Sequence, residues 1–213
     1  MKRPNLRSEE LAEFVGIMLG DGSIGRYQCD RGDGGKSIQH CVKVTLSSNE
    51  PDYAGYVEKM FSELFSIEVE GAKRKNENTY DIRCFKKEIF EFVTEEIGLK
   101  ESPKWERAAI PERYMDSSLE KYVFRGYFDT DGSVVLTDNN GTLYPRLETK
   151  ICPSPMQNQL AKILESQGFN FGAYGIGKGK IRIQMNGKEV LRNFRDKIGF
   201  SNQKHVVKAT KVL

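Results

Sequence analysis

Apolar residues recur every three or four positions in six stretches of this chain and every second position in four others. The first spacing predicts amphipathic helices over residues 9–20, 52–65, 87–97, 118–130, 156–167 and 188–198. Ser8, followed by Glu9 and Glu10, supplies an N-cap with first-turn acids for the first helix, and Gly22 stops it. Ser117 and Glu120 have capping-box spacing at the start of the fourth. The second spacing predicts half-buried strands over 39–47, 79–85, 146–151 and 181–186. In the first of these, Gln39, Cys41, Lys43 and Thr45 share one face, and His40, Val42, Val44 and Leu46 the other. Completed with the strands that follow each turn, each half reads α-β-β-α-β-β-α, an α+β fold of two related halves.

The halves announce themselves in a repeated phrase. Phe14-Val-Gly16-Ile-Met-Leu-Gly20-Asp21-Gly22-Ser23 returns 110 positions later as Phe124-Arg-Gly126-Tyr-Phe-Asp-Thr130-Asp131-Gly132-Ser133, with five of ten positions identical. The ends of the halves also align, Lys87-Glu-Ile and Ile97-Gly98 matching Lys188-Glu-Val and Ile198-Gly199. The expected division is a first half 1–98, a linker 99–117 containing Pro103 and Pro111, a second half 118–200 and a basic tail 201–213. Gly16 and Gly126 sit inside helices, where each costs about 1 kcal/mol relative to Ala. Small residues four apart, Gly16 with Gly20 and Gly126 with Thr130, would let two helix backbones approach closely.

Helices packed through those glycines would deliver Asp21 and Asp131 to one spot, next to helix C-termini whose last carbonyls lack internal partners. Two carboxylates with the carbonyls of Gly20 and Thr130 form an all-oxygen cluster that suits Mg²⁺ and not zinc or copper. Without a cation the two acids would repel, raising the pKa of one of them.

Composition adds less. The formal charge is only +3 over 213 residues, so any polyanion must be held by the placement of charge. Neither an apolar run of about 18 residues nor a charged-then-apolar leader occurs, so no membrane association is expected, and the expected location is cytoplasmic and nucleoid-associated, or organellar in a eukaryote. Four cysteines without CxxC spacing and two isolated histidines, His40 and His205, predict neither zinc nor disulfides. Gly175-Ile-Gly177-Lys-Gly179-Lys lacks the Walker spacing and predicts a hairpin turn.

The phrases at 14–22 and 124–132, with the element order of each half, resemble the two motifs of single-chain LAGLIDADG homing endonucleases across essentially the whole chain. The resemblance implies a monomer with the motif helices central and two antiparallel sheets forming a saddle over double-stranded DNA. It implies Asp21 and Asp131 as metal-binding acids. Two or three Mg²⁺ ions, with Mn²⁺ able to substitute, would support cleavage of both strands across the minor groove to leave short 3′ overhangs. It further implies catalytic assistance from basic residues near the last helix of each half, here Lys87 and Lys188, with Lys86 and Lys150 as rivals. Ser47 and Ser48 stand where relatives often carry a helping Gln or Lys.

Polar strand faces supply the candidate DNA contacts: Arg26, Gln28, Gln39, Lys43, Arg74 and Arg83 in the first half, and Arg146, Lys150, Arg182 and Gln184 in the second. Arg pairs bidentately with guanine and Gln with adenine in the major groove. Strands of about eight residues would cover roughly 27 Å per half, or about 16 base pairs in all. Unequal residues in the two halves imply an imperfectly palindromic site. The rival reading is an RNA-splicing maturase, with host intron RNA as partner, or a non-cutting regulator on the same scaffold.

Overall fold

The computed structural model describes residues 2–30, 32, 34–116 and 118–213. The first half runs α1 (Glu9–Leu19), β1 (Gly22–Asp30), β2 (Lys36–Ser47), α2 (Pro51–Phe65), β3 (Gly71–Lys73), β4 (Thr79–Cys84) and α3 (Lys87–Glu91), which continues as a π-helical turn over Phe92–Ile97. The second runs α4 (Glu120–Asp131), β5 (Gly132–Asn139), β6 (Thr142–Ile151), α5 (Met156–Ser166), β7 (Gly172–Gly175), β8 (Ile181–Asn186) and α6 (Lys188–Lys197). Both halves thus have the predicted order. Each builds one antiparallel four-stranded sheet, in the order β1-β2-β4-β3 or β5-β6-β8-β7. No helix among the described residues is long and apolar enough to cross a membrane.

Alternation along the strands sends Ile24, Val42, Val44, Ile82 and Cys84 to the helices in the first half, and Val134, Leu147, Ile183 and Met185 in the second. The helices answer with aromatic clusters. Phe14, Phe61, Phe65 and Phe92 meet edge to face below the first sheet, and Phe124, Phe128, Phe194 and Phe200 pack below the second. Rings in such contacts add roughly 1 kcal/mol per pair beyond the area they bury.

Two local expectations changed. Ser117 lies outside the described residues, and the carboxylate of its expected partner Glu120 instead crosses to α5, accepting from Ser166 Oγ and from Gln167 Nε2 at 2.9 Å. The end of the chain, expected as a basic tail, carries a docked helix, α7 (Gln203–Thr210). Asn202 caps it, and the spacing of buried Asn202, His205 and Ala209 turns one stripe inward while Lys208 and Lys211 remain exposed. The 176–180 segment is the predicted hairpin turn, with Gly177 and Gly179 at positive φ.

The halves join where α1 lies against α4. A Cβ placed on Gly16 would collide with the Val123 carbonyl oxygen and stand 2.8 Å from Tyr127 N; one on Gly126 would collide with the Glu13 carbonyl oxygen and stand 2.9 Å from Ile17 N. The glycine of each helix therefore faces the backbone of the other, which is the compensation for the helical propensity lost at both. Gly16→Ala or Gly126→Ala is expected to destabilise the fold by about 3 kcal/mol, because backbone cannot retreat as a side chain can. Gly55→Ala, in α2 with nothing within 4 Å of the added carbon, is expected to stabilise by about 1 kcal/mol. Denaturant titration of the three variants checks both signs.

Candidate active site

Asp131 is the last residue of α4, and Asp21 follows α1 after a single glycine, so the crossing of the two helices brings one carboxylate from each half to the same place. A Cβ on Gly20 would collide with Thr130 Oγ1 and stand 2.9 Å from Thr130 Cβ, so this glycine too lets the ends of the helices approach. Burial, then the charge of Asp131, pushes the Asp21 carboxyl up to about 7. Asp131 is reached by solvent, yet it is crowded enough by protein that its carboxyl too lies above the usual range. The pair is stable in its charged form only beside positive charge.

Part of that charge is built in. The ammonium of Lys104, from the segment between the halves, donates to the C-terminal carbonyls of α1: Leu19 O at 2.9 Å, Met18 O at 3.4 Å, and Gly20 O. Burial pushes this ammonium below its ordinary pKa, against the pull of Asp131 and Asp21. The opposing cation is Lys204 at the start of α7, which also bears on both acids and is held by Glu50, 3.1 Å from Oε2. Lys104 follows Gly98 by six residues and Lys204 follows Gly199 by five, so the repeat of half-ends brings the two lysines near each other in register without aligning them. In sequence these segments look like a linker and a basic tail, which hides both lysines.

Lys87 and Lys188, the residues expected to assist, are placed differently from Lys104 and Lys204. They are exposed at the N-termini of α3 and α6, and Lys87 pairs with Glu91 at 3.0 Å. The cations that bear most on Asp21 and Asp131 are Lys104 and Lys204. Of the expected metal set, the Gly20 carbonyl already accepts from the Lys104 ammonium. No group of three or more His, Cys, Asp or Glu side chains able to hold a metal occurs among the described residues. Two carboxylates side by side fit a hard cation that completes its shell with water and phosphate oxygens. Beside Asp131 opens a cavity of about 220 Å³ lined by Lys104, Lys150, Lys180, Tyr127 and Cys152.

Beneath the acids a buried polar network ties the motif helices together. Glu13 of α1 accepts from Arg125 of α4 (Nε at 3.0 Å, and the terminal nitrogen), from Tyr56 OH at 2.9 Å and from Ser201 Oγ at 2.6 Å. Asp129 accepts from Ser201 N at 2.7 Å, and burial raises its carboxyl to about 8. His205 lies 4.0 Å from it, and burial holds its ring neutral with a pKa near 3.

The sheet faces divide the candidate DNA contacts. Gln39, Lys43 and Arg83 share the face turned away from the helices, as do Arg146, Lys150, Arg182 and Gln184. Arg26 and Gln28 fall on the other face, in phase with buried Ile24; Arg26 pairs with Glu101 at 3.2 Å and lies over the Phe90 ring. Arg74 sits beyond β3 with its guanidinium consumed by Asp81 (2.6 and 3.1 Å) and Glu77 (3.0 Å). Asp81 also accepts from Thr45 at 2.6 Å and from Arg83, so these donors hold its carboxyl well below the usual range despite burial. In the second half Glu148 takes Arg146 Nε at 3.0 Å. Exposed Tyr27 and Tyr144, in the same cross-strand row of each half, were not singled out from the sequence.

The raised Asp21 pKa has a consequence for stability. The folded state holds that proton more tightly than the unfolded chain, so the contribution is fully present below the unfolded value of 3.8 and is lost as pH rises through about 7. In EDTA, Asp21→Asn is expected to raise the melting temperature by a few degrees at about pH 8 and to leave it unchanged near pH 4. Equal shifts at both pH values in a thermal melt would contradict the assignment.

Residues 118–199 match the family profile described as a LAGLIDADG-like domain. The chain is 26% identical over 221 aligned positions to the replication factor C small subunit of Methanocaldococcus jannaschii, covering 97% of this chain and 10% of that protein. It is 24% identical to a DNA polymerase of Thermococcus kodakarensis, covering 94% of this chain and 12% of that protein. It thus spans about a tenth of the length of the curated relatives it matches. In structure it resembles the homing endonuclease I-DmoI in complex with DNA and Mn, with TM-score 0.63, 15% identity, and 93% and 99% of the two chains covered. The meganuclease I-SmaMI bound to uncleaveable DNA superposes with TM-score 0.63 at 11% identity, covering 94% and 88%. In the arrangement of its two halves and in the profile matched by its second, the chain resembles the single-chain, two-motif LAGLIDADG homing endonucleases.

Proposed function

We propose that this chain is a site-specific, Mg²⁺-dependent endonuclease that hydrolyses both strands of double-stranded DNA. The observation that carries the reading is the convergence of Asp21 and Asp131, one from each half, at a point midway between two sheets whose outward faces present Lys43, Arg83, Arg146, Lys150 and Arg182. One chain supplies both acids, so a monomer suffices. Bound between the acids, a divalent cation would supply positive charge to the phosphoryl oxygens and acidify the attacking water. Mn²⁺ is the natural substitute, since I-DmoI has been solved with it.

The protein's own contribution is placement of charge. Asp21 and Asp131 would hold the cation, and Lys104 keeps the α1 carbonyls from facing a phosphate as bare negative ends. Lys150 and Lys180, in the cavity beside Asp131, are placed to hold a backbone phosphate there. The assisting role first given to Lys87 and Lys188 passes to Lys104 and Lys204. Cutting across the minor groove with short 3′ overhangs belongs to the reading by analogy of fold.

Strand lengths enlarge the expected site. The 12 residues of β2 and 10 of β6 span together roughly 75 Å, up to about 22 base pairs. Distinct readers in the two halves, Gln39 and Lys43 against Tyr144 and Glu148, make that site imperfectly palindromic.

Incubating the protein with a randomised duplex library in Mg²⁺, Ca²⁺ or EDTA and sequencing the ends tests the proposal. Mg²⁺-dependent ends clustered on one long site are expected; enrichment by binding without any ends would refute cleavage. On the selected site, Asp21→Asn or Asp131→Asn is expected to lower double-strand cutting by about 10³-fold or more, with binding in Ca²⁺ changed by less than about tenfold. Lys104→Met is expected to lower it by about 10²-fold.

A further inference from the structure

Lys104 and Lys204 approach the acids from two segments of the chain, and they are held by different means. Main-chain carbonyls hold Lys104, and no side chain can be changed to release it. Lys204 depends on the carboxylate of Glu50, 3.1 Å from Oε2 and 3.4 Å from Oε1.

Glu50 immediately precedes α2, a first-half helix, without capping it through its side chain, and Lys204 lies in the first turn of α7. Between them stands Asn202, 1% exposed. Its Nδ2 donates to Glu50 Oε2 at 2.7 Å and to the Asp129 carbonyl of the second-half motif helix at 3.0 Å, and its Oδ1 accepts from Lys204 N at 3.1 Å. Both oxygens of Glu50 are thereby engaged, so it is not a third metal ligand. It is nonetheless close enough to Asp21 for its charge to raise that carboxyl further. Unpaired, Glu50 would add negative charge to a site that must admit phosphate; paired, it brings a cation instead. The position matching Glu50 at the start of α5 is Pro155, so the second half has no such carboxylate.

We infer that Glu50 is a positioning residue, which moors the Lys204 ammonium beside the paired acids so that one of the two strand cleavages depends on a carboxylate that touches neither metal nor DNA. This rests on the endonuclease reading. The asymmetry follows from the anchors: loss of Glu50 releases Lys204 and leaves Lys104 in place.

The test is a double-mutant cycle on the selected duplex, labelled at either 5′ end so that each strand is timed separately. Glu50→Gln keeps an acceptor for Asn202 and removes the charge. It is expected to slow nicking of one strand by about tenfold at saturating protein, to leave the other within about twofold, and to be silent when added to Lys204→Met. Lys204→Arg, which keeps the ion pair, is expected to retain most of the activity. Hydrogen exchange across 203–210 should be the same in Glu50→Gln and in the parent. Independent, additive losses, equal slowing of both strands, or loss of protection in α7 would each overturn the inference while cleavage by the parent still upheld the endonuclease. A parent that cuts nothing would overturn both.

Discussion

Everything at the centre of this molecule depends on how closely α1 and α4 approach. Gly16 and Gly126 each face the other helix's backbone, at separations that exclude even one methyl carbon. That approach sets the distance between Asp21 and Asp131, and through it the repulsion of one carboxylate by the other. It also fixes the two sheets relative to one another, since β1 and β5 leave directly from the ends of these helices. A small change in interhelical distance would therefore alter the spacing of the acids and the alignment of the two polar faces together.

Such an interface needs reinforcement, because glycine offers little apolar surface. The reinforcement is polar and buried: the Glu13–Arg125 ion pair, with Tyr56 and Ser201 satisfying the remaining oxygen of Glu13. Buried ion pairs seldom add much net stability, but breaking one leaves an uncompensated charge, so they favour one packing of the helices over its neighbours. Ser201 belongs to the segment leading into α7, and it bonds to Glu13 and Asp129 from opposite halves. The chain end is thus a third component of the interface, and it carries Lys204 to the site.

The sheets show how charge can be organised without net charge. With +3 overall, the chain concentrates arginines around Asp81 and Glu148, each on the outward face of its sheet. Partial neutralisation holds a guanidinium in one orientation while leaving other N–H groups of Arg83 and Arg146 to face a partner. Arg74, with both Asp81 and Glu77 as partners, has become a strut for its neighbours.

Much of this was written in the sequence. Periodicity gave the helices and strands to within a few residues, and the repeated phrase gave the two halves and both acids, because each depends on residues close together along the chain. Even the phase of Arg26 and Gln28 was legible, since they follow Ile24 by two and four positions. What tertiary structure alone decided was partnership over long separations: Lys104 at the end of α1, Lys204 on Glu50, and the docking of the terminal helix on residues of both halves. A lysine in a polar segment has the same local signature whether it is solvated or buried beside two carboxylates. The difference lies in which surfaces close over it, and local sequence carries no record of that.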